Sequence, residues 1–134
     1  MTHELKQRVY YSDTDAYSVA WHGSYLRWME MARVEFCSEL GIDLVKAKEN
    51  DIAIPVTNIN IRYKSSALLD EKIIIQTSVK EISRLTVTFN QVIKNAENDK
   101  VHTIADVEVV AVHNDGKIYR QLPDELKSKL ERAL

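Results

Sequence analysis

The sequence predicts an α+β domain in which an antiparallel sheet of five or six strands wraps around one long central helix. Three observations lead to this fold class. The chain has 134 residues, enough for a single domain, 1–134, with a substantial core. Residues 25–40 place apolar side chains on most sides of a helix, and most later segments alternate as strands do. A helix that is apolar on most sides must be covered on most sides, which a curved antiparallel sheet achieves.

The first element is predicted to be a strand over residues 4–11. Leu5, Val9 and Tyr11 share one face of it, and the other face is mostly polar. The stretch Ser-Asp-Thr-Asp at 12–15 then ends the strand.

The second element is the long helix. Five apolar residues fall on one stripe at helical spacing, and Gly41 supplies a stop after them. The residues of the stripe are Tyr25, Met29, Ala32, Phe36 and Leu40. Cys37 lies among these apolar residues and is expected to be an inert, buried thiol.

The rest of the chain is predicted to be mainly strands, because it is rich in Val, Ile and Thr. The predicted strands cover residues 58–64, 72–82, 85–94, 101–113 and 117–121, with turns at 97–99 and 114–116. A last short helix is expected to begin near Pro123. Such a sheet leaves a long edge strand, which commonly pairs with a second copy, so we expect a homodimer.

Composition narrows the function classes. The net charge of −2 argues against a nucleic-acid surface, which needs a basic excess. A single cysteine excludes an intramolecular disulfide, and no apolar run approaches the ~20 residues that span a bilayer. The first residues lack the apolar core of a signal peptide. We therefore expect a cytoplasmic protein with no membrane span.

The residues that could carry chemistry lie between the first strand and the helix. Asp13 and Asp15 stand two residues apart, and His22 follows close to the predicted helix start. Unpaired N–H groups at a helix start can polarise a carbonyl, and a carboxylate facing the same point can attack it or activate a water. Asp13 can instead serve as a turn residue that accepts backbone N–H groups. No further His or Cys lies at ligand spacing, so no metal site is expected.

These residues also carry a resemblance to a known family. The sequence resembles the 4-hydroxybenzoyl-CoA thioesterase family, and most closely its short bacterial acyl-CoA thioesterases associated with the Tol-Pal system. The matching positions are Asp13-Thr14-Asp15, His22, Tyr25, Glu30-Met31-Ala32-Arg33, Arg62-Tyr63, Asp70-Glu71 and Leu122-Pro123-Asp124-Glu125-Leu126.

The resemblance implies a hotdog fold, a homodimer or homotetramer with sites between subunits, an acyl-CoA substrate, and no metal or organic cofactor. It assigns the nucleophile or general base to Asp15, with His22 and Tyr11 also at the site. The N–H groups of Trp21, His22 and Gly23 correspond to the donors that polarise the thioester carbonyl.

Substrate contacts are expected from five residues: Tyr17, Ser18, Tyr25, Arg62 and Tyr63. Tyr17 and Ser18 stand where the family usually has glycine, and the bulk of Tyr17 is expected to reshape the acyl pocket. A cation such as Arg62 suits the phosphates of coenzyme A, although a solvated strand face is the better explanation of it from the sequence alone.

Two other functions remain open at this stage. One is another hotdog enzyme, such as a thioesterase for acyl chains on a carrier protein. The other is a non-catalytic acyl-CoA-binding protein on the same fold. His3, His102 and His113 show no pattern that predicts a partner for them, and Glu30 and Arg33 are placed to pair with each other.

Overall fold

A computed structural model describes residues 1–134, and it confirms the α+β prediction. Five antiparallel strands form one sheet in the order β1-β3-β4-β5-β2. The strands are β1 (His3–Arg8), β2 (Val56–Tyr63), β3 (Lys72–Ile82), β4 (Thr86–Asn95) and β5 (Val101–Val110). The helices are α1 (His22–Glu39), α2 (Leu44–Glu49) and α3 (Asp124–Glu131).

Helix α1 packs against the sheet, and its buried residues divide into two apolar clusters. The first half of α1 contributes Tyr25, Trp28, Met29 and Ala32 to a cluster with the inward residues of β3, β4 and β5. The second half contributes Phe36 and Cys37 to another cluster, which α3 closes. The alternating burial of β3 and β4 is what gives the sheet one apolar face.

Several expectations need correction. Residues 117–121 do not form a strand, because only an isolated bridge between Val112 and Ile118 joins them to the sheet. Helix α2 was not predicted; Asp43 caps it by accepting the N–H groups of Val45 and Lys46. Tyr11 lies in a 3₁₀ turn rather than in β1, since the acidic stretch bends the chain earlier than the apolar alternation indicates.

The pairing of Glu30 with Arg33 is also not found. Arg33 instead donates to the Gln91 side chain on β4 at 2.9 Å. Gln91 is buried and in turn donates to the Met29 carbonyl, so it ties the middle of α1 to the sheet. By contacting Gln91, Arg33 satisfies the hydrogen-bonding capacity of a buried amide, whereas a pair between Arg33 and Glu30 along the helix would leave that amide oxygen without a partner.

Strand β2 lies at one edge of the sheet and is exposed along almost its whole length. Val56 and Ile59 are among its exposed apolar residues. An edge that offers free backbone groups and apolar side chains is suited to pairing with another chain. No helix is long and apolar enough to cross a membrane.

Candidate active site

The candidate site is built around a small hairpin, residues 13–20, which we call the site hairpin. Thr14 and Ala20 form an antiparallel bridge, and the Asp15 N–H donates to the Val19 carbonyl at 2.9 Å. A tight turn closes the hairpin, with the Ser18 N–H donating to the Asp15 carbonyl. Ser18 has φ of 65°, a left-handed conformation that glycine adopts more easily. Ser18 therefore adopts the left-handed backbone conformation of this turn although it is not a glycine.

Asp15 lies on this hairpin with one carboxylate oxygen held and the other open. Its Oδ1 accepts the N–H of Tyr17 at 2.8 Å, and its side chain is half-buried. No other group of the chain hydrogen-bonds this carboxylate. A carboxylate fixed through one oxygen is oriented, while the second oxygen remains available to a reacting group.

Asp13 has the opposite environment, because it is only 1% exposed. Its carboxylate accepts the Tyr10 N–H at 2.8 Å and is paired with Arg27 of α1. Its carbonyl accepts both the Trp21 N–H and the Ser24 hydroxyl, each at 2.8 Å. Asp13 thus fastens the site hairpin to the start of α1, as expected of a residue that serves the backbone.

The start of α1 is open to a ligand. No side chain caps it, and the N–H groups of His22 and Gly23 find no acceptor in the chain. Only Ser24 donates back to the Trp21 carbonyl. Uncapped N–H groups at the positive end of an 18-residue helix attract a polarised carbonyl oxygen or an oxyanion.

The Trp21 ring lies against Gly23 at this helix start. A Cβ at position 23 would overlap the Trp21 ring in its present position, so a larger residue there would require this exposed ring to move. The Trp21 ring also contacts the His22 imidazole, with centroids 5.1 Å apart, and both side chains are exposed. The two aromatic side chains therefore form an exposed wall beside the open N–H groups.

Tyr25 and Tyr63 support the site from below. The Tyr63 hydroxyl donates to the His22 carbonyl at 3.1 Å, and its ring lies 5.6 Å from that of Tyr25. Tyr25 is buried, and its hydroxyl accepts the Ala67 N–H at 3.0 Å. Burial is the main cause that raises the pKa of Tyr25, and the charges of Glu71 and Asp15 raise it further. Tyr25 and Tyr63 therefore pack against each other beneath the start of α1, and Tyr63 contacts that start directly.

The other predicted residues are more dispersed. Tyr17 is 85% exposed at the tip of the site hairpin, and Tyr11 is 82% exposed in the preceding turn. Arg62 points from the exposed edge strand β2. The chain therefore places Tyr25 and Tyr63 in contact beneath the helix start, while the Asp15, Tyr11 and Arg62 side chains make no hydrogen bond to either tyrosine.

A second polar group, centred on His102, was not indicated by any pattern in the sequence. His102, predicted to have no partner, is buried and contacts both Glu71 and Ser65. His3 and His113 are likewise paired, with Glu39 and Asp51. These partners are 31 to 62 residues apart in sequence, so no local spacing could reveal them.

Comparison with known proteins shows the family and agrees with the fold. A family model described as the thioesterase-like superfamily matches residues 9–131. The acyl-CoA thioester hydrolase YbgC of Escherichia coli O6:H1 is 32% identical over 125 residues, covering 93% of this chain and 92% of that protein.

Solved structures are similar over nearly the whole chain. DHNA-CoA thioesterase from Staphylococcus aureus has a TM-score of 0.87 at 30% identity, covering 98% of this chain and 91% of its own. A 4-hydroxybenzoyl-CoA thioesterase mutant complexed with 4-hydroxybenzoyl-CoA has a TM-score of 0.87 at 20% identity, covering 96% and 98%. At that lower identity the likeness shows the fold alone.

Proposed function

Because the chain belongs to the thioesterase-like superfamily and has its hotdog fold, we propose that it hydrolyses an acyl-CoA thioester, with Asp15 carrying the chemistry. The products are a free carboxylic acid and coenzyme A. Relatives named as acyl-CoA thioester hydrolase and as DHNA-CoA thioesterase support the reaction class.

The observation that carries the proposal is the contrast within the site hairpin. Asp13 is buried and bonded to the backbone, whereas Asp15 is held through one oxygen and leaves the other free. The same hairpin leads directly into an uncapped helix start. An oriented carboxylate and open N–H donors are the two components that attack on a thioester requires.

In the proposed reaction the thioester carbonyl oxygen faces the N–H groups of His22 and Gly23. Asp15 either attacks the carbonyl carbon or removes a proton from a water that does so. In the first route the carbon–sulfur bond breaks to leave an acyl anhydride on Asp15, and water then hydrolyses this anhydride to the free acid and restores the carboxylate. In the second route water adds to the carbonyl carbon, and the carbon–sulfur bond breaks to give the acid directly. In both routes the thiolate of coenzyme A takes up a proton, and the acid gains one oxygen from water. His22, exposed beside the same donors, is assigned an assisting hydrogen bond.

Substrate contacts are assigned to the surface around the site hairpin. Tyr17, exposed at its tip, would lie along the acyl group, and Ser18 preserves the turn that presents Tyr17. Tyr63 would shape the floor of the site, and Arg62, which precedes it on β2, would meet the negative coenzyme tail. Tyr11 remains a candidate for the same surface.

A homodimer is part of the proposal, with 1–134 as one catalytic domain in the cytoplasm. Support comes from β2, whose backbone edge and apolar side chains are exposed in the single chain. A second copy on this edge would bury Ile59 and Val56 and would place a neighbouring surface close to Tyr63. Pairing through this edge accounts for a homodimer, and a homotetramer would need a second interface.

The proposal is tested by incubating the purified protein with short, long and aromatic acyl-CoAs and measuring released thiol. We expect turnover of at least one of them, and we expect Asp15→Asn to lose most of it. Asp115→Asn is a matched control, because Asp115 is an exposed aspartate outside the site hairpin whose Oδ1 accepts the N–H two residues further on, as Oδ1 of Asp15 does. Binding of every acyl-CoA without turnover would identify a non-catalytic protein, and turnover only of carrier-linked chains would redirect the substrate assignment.

A further inference from the structure

A buried imidazole links two distant parts of the chain beside the site. The His102 side chain is 3% exposed. Its Nε2 lies 2.5 Å from Oε2 of Glu71, and its Nδ1 lies 2.7 Å from Oγ of Ser65. The Ser65 hydroxyl also donates to the Val101 carbonyl at 2.8 Å. Both ring nitrogens are therefore used, and neither bond is formed by neighbours in sequence.

A β-bulge gives His102 this position. The pairing of β5 with β4 shifts register between Ile93 and Lys94, so that His102 is the extra residue between Val101 and Thr103. His102 and Thr103 are consequently both buried, although successive residues of a regular strand point to opposite faces. Bulges commonly re-aim a side chain next to a functional site.

The imidazole fixes both ends of one irregular segment. Ser65 and Glu71 bracket residues 66–70, which contain no helix or strand. The second carboxylate oxygen of Glu71 accepts the Leu68 N–H at 3.0 Å, inside that segment. One histidine thus restrains a loop of seven residues at its first residue, its last residue and, through Glu71, its middle.

The restrained segment is what the site hairpin rests on. The Ala20 N–H donates to the Ala67 carbonyl at 2.9 Å, and Val19 forms an antiparallel bridge with Leu68. Val19 is also the residue whose carbonyl holds the Asp15 N–H. The Ala67 N–H donates to the Tyr25 hydroxyl from the other side. A continuous path of bonds therefore runs from His102 to Asp15.

We propose that His102, Glu71 and Ser65 are positioning residues, which hold segment 66–70 and through it keep Asp15 in its reactive orientation. None of the three contacts the substrate. The inference rests on the proposed function, because it assigns to this network a part in the same reaction. A shift of about 1 Å at a reacting group can cost roughly 100-fold in rate, so such support is expected to matter.

The test compares His102→Leu, which removes both bonds, with His102→Gln, whose amide can still reach Glu71. The matched control is His113→Leu, because His113 also pairs with a carboxylate, Asp51 at 2.6 Å, but lies about eleven residues further along the chain. That separation corresponds to roughly 35 Å along an extended strand. Each variant is assayed for kcat and KM on one acyl-CoA and for backbone hydrogen exchange.

We expect His102→Leu to lower kcat by roughly 10- to 100-fold with little change in KM, because positioning acts on the transition state. Exchange should increase within segment 66–70 and the site hairpin and stay unchanged in β3 and β4. His102→Gln should recover much of kcat, and His113→Leu should match the unmodified protein in both measurements.

Unchanged kcat in folded His102→Leu would overturn the proposal, as would a loss of kcat without faster exchange at the site hairpin. Increased exchange across the whole sheet would also overturn it, since that reports general destabilisation. If His102→Leu does not fold, the double change His102→Leu with Glu71→Leu removes both buried partners together and is judged by the same criteria. Absence of turnover in the unmodified protein would refute the proposed function, while hydrogen exchange would still test the network.

Discussion

The two halves of helix α1 are stabilised in different ways. The second half, with Phe36 and Cys37, lies in a cluster made only of apolar residues and closed by α3. The first half also has an apolar cluster, but Asp13 and Ser24 are buried beside it and His102 is buried nearby. Ser24 donates to the Asp13 carbonyl in the site hairpin, the Asp13 carboxylate accepts the Tyr10 N–H, and His102 contacts Glu71 at the end of segment 66–70.

The two kinds of contact have different effects: apolar packing contributes mainly to stability, and buried polar contacts mainly position the residues that they join. Buried polar groups contribute little net stability compared with apolar residues of the same size, but they fix geometry because each needs a partner in one place. They are concentrated at the end of α1 that adjoins the site hairpin, which carries Asp15. The far half of α1 can therefore be altered with a cost in stability alone, and changes at the first half should affect catalysis.

The largest effect is expected from Asp15→Asn. The amide can still accept the Tyr17 N–H, but it cannot act as a nucleophile or base, so kcat should fall roughly 10²- to 10⁴-fold. Stability should change by less than about 0.5 kcal/mol, because Asp15 is only half-buried. Steady-state turnover and chemical unfolding measure the two quantities. A loss of stability that accounts for the lost activity would place Asp15 among the structural residues.

Phe36→Ala should show the reverse pattern. Phe36 is fully buried in the far cluster and packs edge-on against Phe89, so its removal should cost about 3–5 kcal/mol of unfolding free energy. Turnover per folded molecule should stay unchanged below the lowered melting temperature. Denaturant unfolding and an activity assay at low temperature test this, and a drop in kcat at full folding would break the distinction between the halves.

Cys37 in the same cluster makes stability depend on pH. Burial raises the pKa of its thiol to about 11 from an ordinary value of 9.0, so the folded protein holds the proton to higher pH than the unfolded chain. The contribution is complete below about pH 9 and is lost as pH rises toward about 11, by at most ~1.4 kcal/mol per pH unit. The free energy of unfolding, measured across this pH range, should decrease more steeply with rising pH for the unmodified protein than for Cys37→Ala.

Asp13→Ala should weaken the first half of α1 by about 1–2 kcal/mol. It removes the acceptor of the Tyr10 N–H, whereas the lost pair with Arg27 matters less because that side chain is half-exposed. We expect a smaller decrease in kcat than for Asp15→Asn, since the site hairpin loosens but keeps its reactive carboxylate. Equal losses of activity in the two variants would contradict the different roles assigned to them.

The smallest effect is expected from His113→Gln at the far end of the sheet. The pair with Asp51 is exposed, and Asp51 also accepts the Asn114 N–H, which is the main cause that lowers its pKa. The change should alter unfolding free energy by less than about 0.5 kcal/mol and leave kcat unchanged. A measurable loss of turnover would mean that catalysis depends on contacts throughout the sheet.

Much of the fold could be predicted because its signals are local. The period of apolar residues in α1 and the alternation in β3 arise from neighbouring positions, and the predicted range 72–82 matches β3. Residues 117–121 alternate as a strand does, yet no neighbouring strand is free along them, so they form only a bridge. Pairing depends on tertiary placement, which alternation does not contain.

The site could be predicted only where it lies in one continuous stretch. Asp15 and His22 were identified from residues close together in sequence, and Ser18 takes the left-handed turn that glycine would favour. The network of Ser65, Glu71 and His102 depends on a β-bulge that reverses the expected direction of one side chain. Nothing in the sequence pattern of β5 indicates where that bulge falls.

The most direct test of the account is a crystal structure of the Asp15→Asn protein with an intact acyl-CoA bound. We predict that the thioester carbon lies about 3–3.5 Å from the side-chain oxygen of residue 15. The carbonyl oxygen should accept hydrogen bonds from the N–H groups of His22 or Gly23. A thioester bound elsewhere, with residue 15 turned toward solvent and the helix start unoccupied, would contradict the account.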